Sequence, residues 1–144
     1  MLSVLRNLLA PNPPRLSEPD ARLALAALLV RVARSDGHYA LAEIARIDRI
    51  LIQRHALTET AAAHLRTEAE AVEADAPDTV RFTRALKAAV PLEDRVALIE
   101  ALWAVALSDG QRNDDEDRVL RLVTNLLGLT DVDSAQARQR ILKA

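Results

Sequence analysis

Apolar residues recur along this chain at intervals of three and four, the period of a helix face packed on a core. Leu25, Leu28, Leu29 and Val32 share one face, as do Leu41, Ile44, Ile47, Ile50 and Leu51. The spacing returns in Val80, Ala85, Leu86 and Val90, in Val96, Ile99, Leu102, Trp103 and Ala106, and in Val119, Leu120, Leu122, Val123 and Leu126. The residues between these stripes start and stop helices. Ser17-Glu18-Pro19-Asp20 offers a capping serine, a first-turn proline and an acid three residues on. That helix should end at Ser35-Asp36-Gly37, where glycine can take the left-handed conformation. A second helix is expected over about residues 40–54, and a third, capped by Thr58, over 58–75. Pro77 opens a fourth and Pro91 a fifth, which stops at Ser108-Asp109-Gly110. A sixth spans about 114–127 before Gly128, and Asp133 caps a last one to about residue 142. No segment alternates as a strand would, and no hairpin dipeptide separates apolar runs. The expectation is all-α: a single compact bundle of about seven to eight helices with short connections. Residues 1–14 read as a short helix, docked on the core through residues 2–9, and a Pro-rich linker; residues 15–144 read as the helical domain.

The two glycine turns are copies of one another. ARSDGHYALAEIARIDRIL, from Ala33, aligns with ALSDGQRNDDEDRVLRLVT, from Ala106. Ser35, Asp36 and Gly37 match Ser108, Asp109 and Gly110, and Glu43 stands where Glu116 does after its glycine. Ile47 and Ile50 match Leu120 and Val123. An apolar helix precedes and follows each copy, so the chain reads as two pseudo-symmetric helical hairpins around a shared core. This pattern resembles the tellurite-resistance protein B family, the TerB-like domains, over nearly the whole chain. The resemblance implies an all-helical domain of about seven helices. It also implies an acidic metal-binding surface, and association with bacterial stress-response assemblies near the inner membrane. The family's acidic motif falls on Asp36, Glu43, Asp109 and Glu116. The first loop departs from it, since Gly37-His38-Tyr39-Ala40-Leu41-Ala42 is poor in acids.

Composition narrows the function further. The formal charge is −2, with no basic face for nucleic acid. Cysteine is absent, which excludes disulfides, thiolate metal sites and cysteine nucleophiles. No apolar run reaches membrane length, so the expected location is the cytoplasm, with peripheral inner-membrane association only through a partner. There is no glycine-rich phosphate loop, no G-x-S-x-G elbow and no HExxH, and a non-catalytic protein is expected.

What remains is the acid at the turns. Asp-Gly-x5-Glu is the second half of an EF-hand loop, but Val105 and Leu107, or Val32 and Arg34, stand where the first half needs oxygen ligands. A different oxygen-rich site would use Asp36, Glu43, Asp109, Asp114, Asp115 and Glu116, with His38 as a further member. It would favour Ca²⁺ or Mg²⁺, with Zn²⁺ a lesser option through His38. The structural alternative is as concrete. Asn113-Asp114-Asp115-Glu116 is a good capping box, and acids in a first turn interact with the helix dipole at ~0.3–1 kcal/mol each. Arg34, Arg46, Arg112 and Arg118 are near enough in sequence to neutralise them. His55, His64 and Trp103 read as structural. The functional expectation is an adaptor that binds a protein partner. The alternatives are an oligomer-forming module whose turns are only helix caps and, third, a metal-dependent hydrolase.

Overall fold

The computed structural model describes residues 4–6, 9, 17–35, 37–76, 78–108 and 114–143. Residues 4–6 form a helical turn, α1. Seven longer helices follow: α2 (Glu18–Ala33), α3 (Leu41–His55), α4 (Glu59–Asp75), α5 (Thr79–Ala89), α6 (Leu92–Ala106), α7 (Asp114–Leu126) and α8 (Asp131–Lys143). No strand occurs among the described residues. Val4 and Leu5 of this turn are buried in the common core.

Side-chain oxygens set most of the helix starts. Ser17 accepts the Asp20 N–H at 3.3 Å, and Thr58 accepts the Ala61 N–H at 3.1 Å. Two starts differ from expectation. α5, expected to open at Pro77, begins at Thr79 and is capped by Asp78, which accepts the Arg81 N–H at 3.0 Å. Thr130, not Asp133, caps α8: its hydroxyl accepts the Asp133 N–H at 3.1 Å, while Asp133 accepts the Thr130 N–H at 2.9 Å. Asp133 therefore holds the third helical position, the reciprocal half of a capping box.

Helices α2 and α6 are apolar almost all round, which sends them to the centre of the molecule. Each is the spine of a three-helix unit. α2 packs most heavily on α4, α6 packs most heavily on α8, and α2 and α6 meet each other. α3 reaches across to α6, as α7 reaches across to α2. α5 links the two units and lies against α7 and α2. The repeat thus extends beyond a pair of hairpins to two related triplets, α2-α3-α4 and α6-α7-α8.

Three apolar positions lie elsewhere than the periodic stripe placed them. Leu41 is 84% exposed because it occupies the first position of α3, beyond the turn that meets its neighbours. Leu122 is 39% exposed: the buried stripe of α7 is Leu120, Val123, Thr124 and Leu127, and Leu122 falls outside it. Ile50 is only half-buried, whereas its neighbour Leu51 is fully buried in the core.

Candidate functional site at the acidic turns

The repeated turn has a structural logic that begins with its serine. The Ser35 hydroxyl donates to the Val32 carbonyl at 2.7 Å, and the Ser108 hydroxyl donates to the Val105 carbonyl at 2.7 Å. Each serine so adds a side-chain bond to a last-turn carbonyl that also accepts its backbone N–H at 3.2 Å. Gly37 then turns the chain with a φ of +81°. The Ala40 N–H donates to Glu43 Oε1 at 3.1 Å, which supplies the cap that an alanine at this place cannot. Glu43 is buried, 1% exposed, and its carboxylate faces the start of its own helix.

The rest of the first turn is held by arginine–carboxylate pairs. Glu73 of α4 accepts Arg31 Nε and Arg34 Nη1, both at 2.9 Å. Arg34 also stacks over the Tyr39 ring at 4.9 Å. The Tyr39 hydroxyl donates to Glu70 at 2.7 Å, Arg66 donates to the same carboxylate oxygen at 3.1 Å, and Arg66 reaches Asp48 on α3 at 2.6 Å. This chain of contacts staples α2, α3 and α4 around the turn. Burial, the hydrogen bond to Glu70 and its negative charge push the Tyr39 phenol well above its ordinary range. The hydrogen bond to Asp48 leads the causes that raise Arg66.

The expected ligands separate into several environments. His38 is exposed beside the first turn, whereas Glu43 is turned inward. Asp114 and Asp115 are exposed in the first turn of α7, and Asp115 pairs with Arg118 at 3.8 Å. Asp36, Asp109 and the side chain of Glu116 lie outside the described residues, as do Arg112 and Asn113. Among the described residues, no three histidine, aspartate or glutamate side chains come together to hold a metal ion. Of the neutralising arginines, Arg34 serves Glu73 and Arg118 serves Asp115, but Arg46 lies on the far side of α3 against α6 and α8.

Beside the second turn, α6, α7 and α8 enclose an open cleft of about 470 Å³. Asp114 and Asp131 line it together with Arg121 and Arg138. Trp103 forms its wall, with the indole N–H donating to Ser134 Oγ at 3.0 Å and Arg138 over the ring at 5.5 Å. Among the described residues, Asp114, Asp131 and Arg121 have no ion-pair partner. Trp103 is largely buried, as the stripe on α6 required, but it also borders this cleft, which periodicity alone could not show. His64 forms an exposed pair with Glu68 at 2.9 Å.

These features define an all-helical domain of two related three-helix units, each with a Ser-Asp-Gly sequence between its first two helices. The chain belongs to the family described as Tellurite resistance protein TerB, which it matches over residues 22–139. No curated protein and no solved structure matches it. No helix among the described residues is long and apolar enough to cross a membrane.

Proposed function

We propose that this TerB-domain protein is a non-catalytic adaptor that docks a protein partner on the cleft between α6, α7 and α8. The observation that carries the reading is the set of unpaired charges there. Asp114, Asp131 and Arg121 stand around an open cleft with no ion-pair partner among the described residues. Such groups are hydrated in the free protein and gain complementary partners when a charged surface docks, which favours orientation and association rate over raw affinity. Trp103, largely buried and bonded to Ser134, gives the cleft a rigid wall.

A photo-reactive residue placed at position 114, 121 or 131 in the producing cells tests this. A discrete protein adduct is expected from these positions and not from position 60, on the exposed side of α4. Equal labelling from position 60, or no adduct from the cleft, would overturn the reading.

A divalent cation at the acidic turns belongs to the same proposal. Asp114 and Asp115 are accessible to it, and the remaining oxygens would come from Asp36, Asp109 or Glu116, because the described carboxylates do not converge. Titration calorimetry with Ca²⁺, Mg²⁺ and Zn²⁺ decides this part. Saturable heat that an Asp109→Asn, Asp114→Asn double variant loses supports a cation-bridged adaptor. Absence of heat would leave the turns as helix caps and the adaptor independent of metal. The oligomer reading rests on Leu41, Leu92 and Val132, all strongly exposed, and light scattering across protein concentration addresses it.

A further inference from the structure

Helices α3, α6 and α8 leave an open trough between them, about 700 Å³ in volume. Its floor is alanine. Ala97, Ala101 and Ala104 recur along one face of α6, and their short side chains keep the trough deep. Ile50 of α3 and Leu142 of α8 form apolar shoulders, and Leu142 is 53% exposed. The α3 wall carries Arg46, Arg49 and Arg54.

The charges single out an occupant. Several arginines beside the core have acceptors: Arg31 and Arg34 on Glu73, Arg66 on Asp48 and Glu70, Arg95 on three backbone carbonyls. Arg46, Arg49 and Arg54 have no carboxylate partner among the described residues. The carboxylate that does line the trough, Glu100, is engaged by Arg140 at 2.7 Å. A chain of net charge −2 therefore concentrates uncompensated positive charge above an apolar floor. The three arginines also succeed one another along α3, so the wall carries a row of charge. Arg46 and Arg54 are eight residues apart on α3, a rise of ~12 Å. A single lipid headgroup would meet one end of that row. A helix with an apolar stripe and carboxylates on successive turns beside it would meet all of it.

We infer that the trough binds an acidic amphipathic helix of a partner protein. Its apolar stripe lies on the alanines of α6, and its carboxylates face Arg46, Arg49 and Arg54. This surface is separate from the cleft beside α7, and the inference does not depend on that cleft.

Fluorescence anisotropy of the full chain with synthetic helices of about 18 residues, some five turns, tests it. One peptide carries leucines at helical spacing flanked by glutamates, and a twin carries lysines in their place. The glutamate peptide is expected to bind, and to bind more weakly as salt rises. An Arg46→Glu, Arg49→Glu, Arg54→Glu protein should lose at least about tenfold in affinity for it and gain affinity for the lysine twin, because the salt-screened Coulomb term changes sign. Ala97→Trp, which raises the floor without touching charge, should weaken the glutamate peptide as well. Circular dichroism confirms that both variants stay helical. Equal binding of the two peptides, or undiminished binding by the charge-reversed protein, would overturn the inference. So would capture by phosphatidylglycerol vesicles, lost in the charge-reversed protein, with no peptide binding; that outcome reassigns the trough to a membrane surface. Adducts at position 114 without peptide binding would leave the adaptor reading standing and remove only the trough.

Discussion

Ala56 closes α3 in the left-handed conformation, with a φ of 54°, where Gly128 closes α7 with a φ of 82°. The two ends are otherwise alike: Leu57 N–H donates to the Ile52 carbonyl at 3.2 Å, and Leu129 N–H donates to the Thr124 carbonyl at 3.1 Å. A Cβ in that conformation costs ~1–2 kcal/mol, whereas glycine adds ~0.4–1 kcal/mol of unfolded-chain entropy to be lost. Relief exceeds cost, so Ala56→Gly should stabilise the protein by about 0.5–1 kcal/mol in urea unfolding. A destabilised variant would sink this account of the turn. Tyr39 makes a second prediction of the same scale. Its phenol is held protonated by burial and by donation to Glu70, so its folded pKa lies above the unfolded value near 10. The sign follows: this contribution is complete below about pH 10 and is lost as pH rises beyond it. The melting temperatures of wild type and Tyr39→Phe should therefore converge above about pH 10. A constant gap from pH 8 to 11 would refute it. The sequence told that Ser35, Gly37 and Glu43 form a turn, because capping chemistry is local. It could not tell that Tyr39 meets Glu70, which lies on another helix.

Among the helices, Arg95 is the contact with the most dependants. Its Nε donates to the Val90 carbonyl at 3.0 Å, Nη1 to Leu127 at 3.2 Å and Nη2 to Lys87 at 3.1 Å. One planar fork thus caps the C-terminal ends of both α5 and α7 from α6. Hydrogen bonds to charged groups contribute ~1.5–3 kcal/mol each where water is excluded. Arg95 is half-buried, so three such bonds fall short of their sum. Arg95→Met is expected to cost about 2–3 kcal/mol in urea midpoint at unchanged slope. Arg95→Lys should recover less than half, because a point-like ammonium cannot reach three divergent carbonyls. Full recovery by lysine would show that charge alone matters here. The helices themselves were legible in the sequence, including their order and most caps, since period and punctuation are written in neighbouring residues. Which helices pair was less so. α2 on α4 and α6 on α8 bring together residues dozens of positions apart, and the matched copies pointed only to α2 with α3 and α6 with α7. The candidate site suffered most from this. Arg46 looked like a counter-ion for the first turn, yet the twist of α3 carries it to a trough formed with α6 and α8.

For the whole molecule, the question raised by two related triplets is whether they are two folding units or one. Size and burial decide it. α2 and α6 supply much of the buried core, and they bury part of that surface against one another. Separating the triplets would expose those residues at ~25 cal/mol per Å² of apolar area, a cost neither triplet could offset from its own small core. Reciprocal crossing of α3 to α6 and α7 to α2 adds to the same seam. One cooperative transition is therefore expected. The chain supplies its own reporters, because it has one tryptophan and one tyrosine. Trp103 stands in the second triplet, bonded to Ser134 of α8, and Tyr39 stands in the first, bonded to Glu70 of α4. Urea unfolding followed by tryptophan fluorescence, by tyrosine absorbance and by circular dichroism should give a single midpoint and slope. If the two aromatic signals parted, the shared α2–α6 core would not be what unites the triplets. Ser134→Ala, which removes the acceptor of the buried indole N–H, sharpens the test. It should cost ~1–3 kcal/mol and move both aromatic transitions together, although only the tryptophan is near the change.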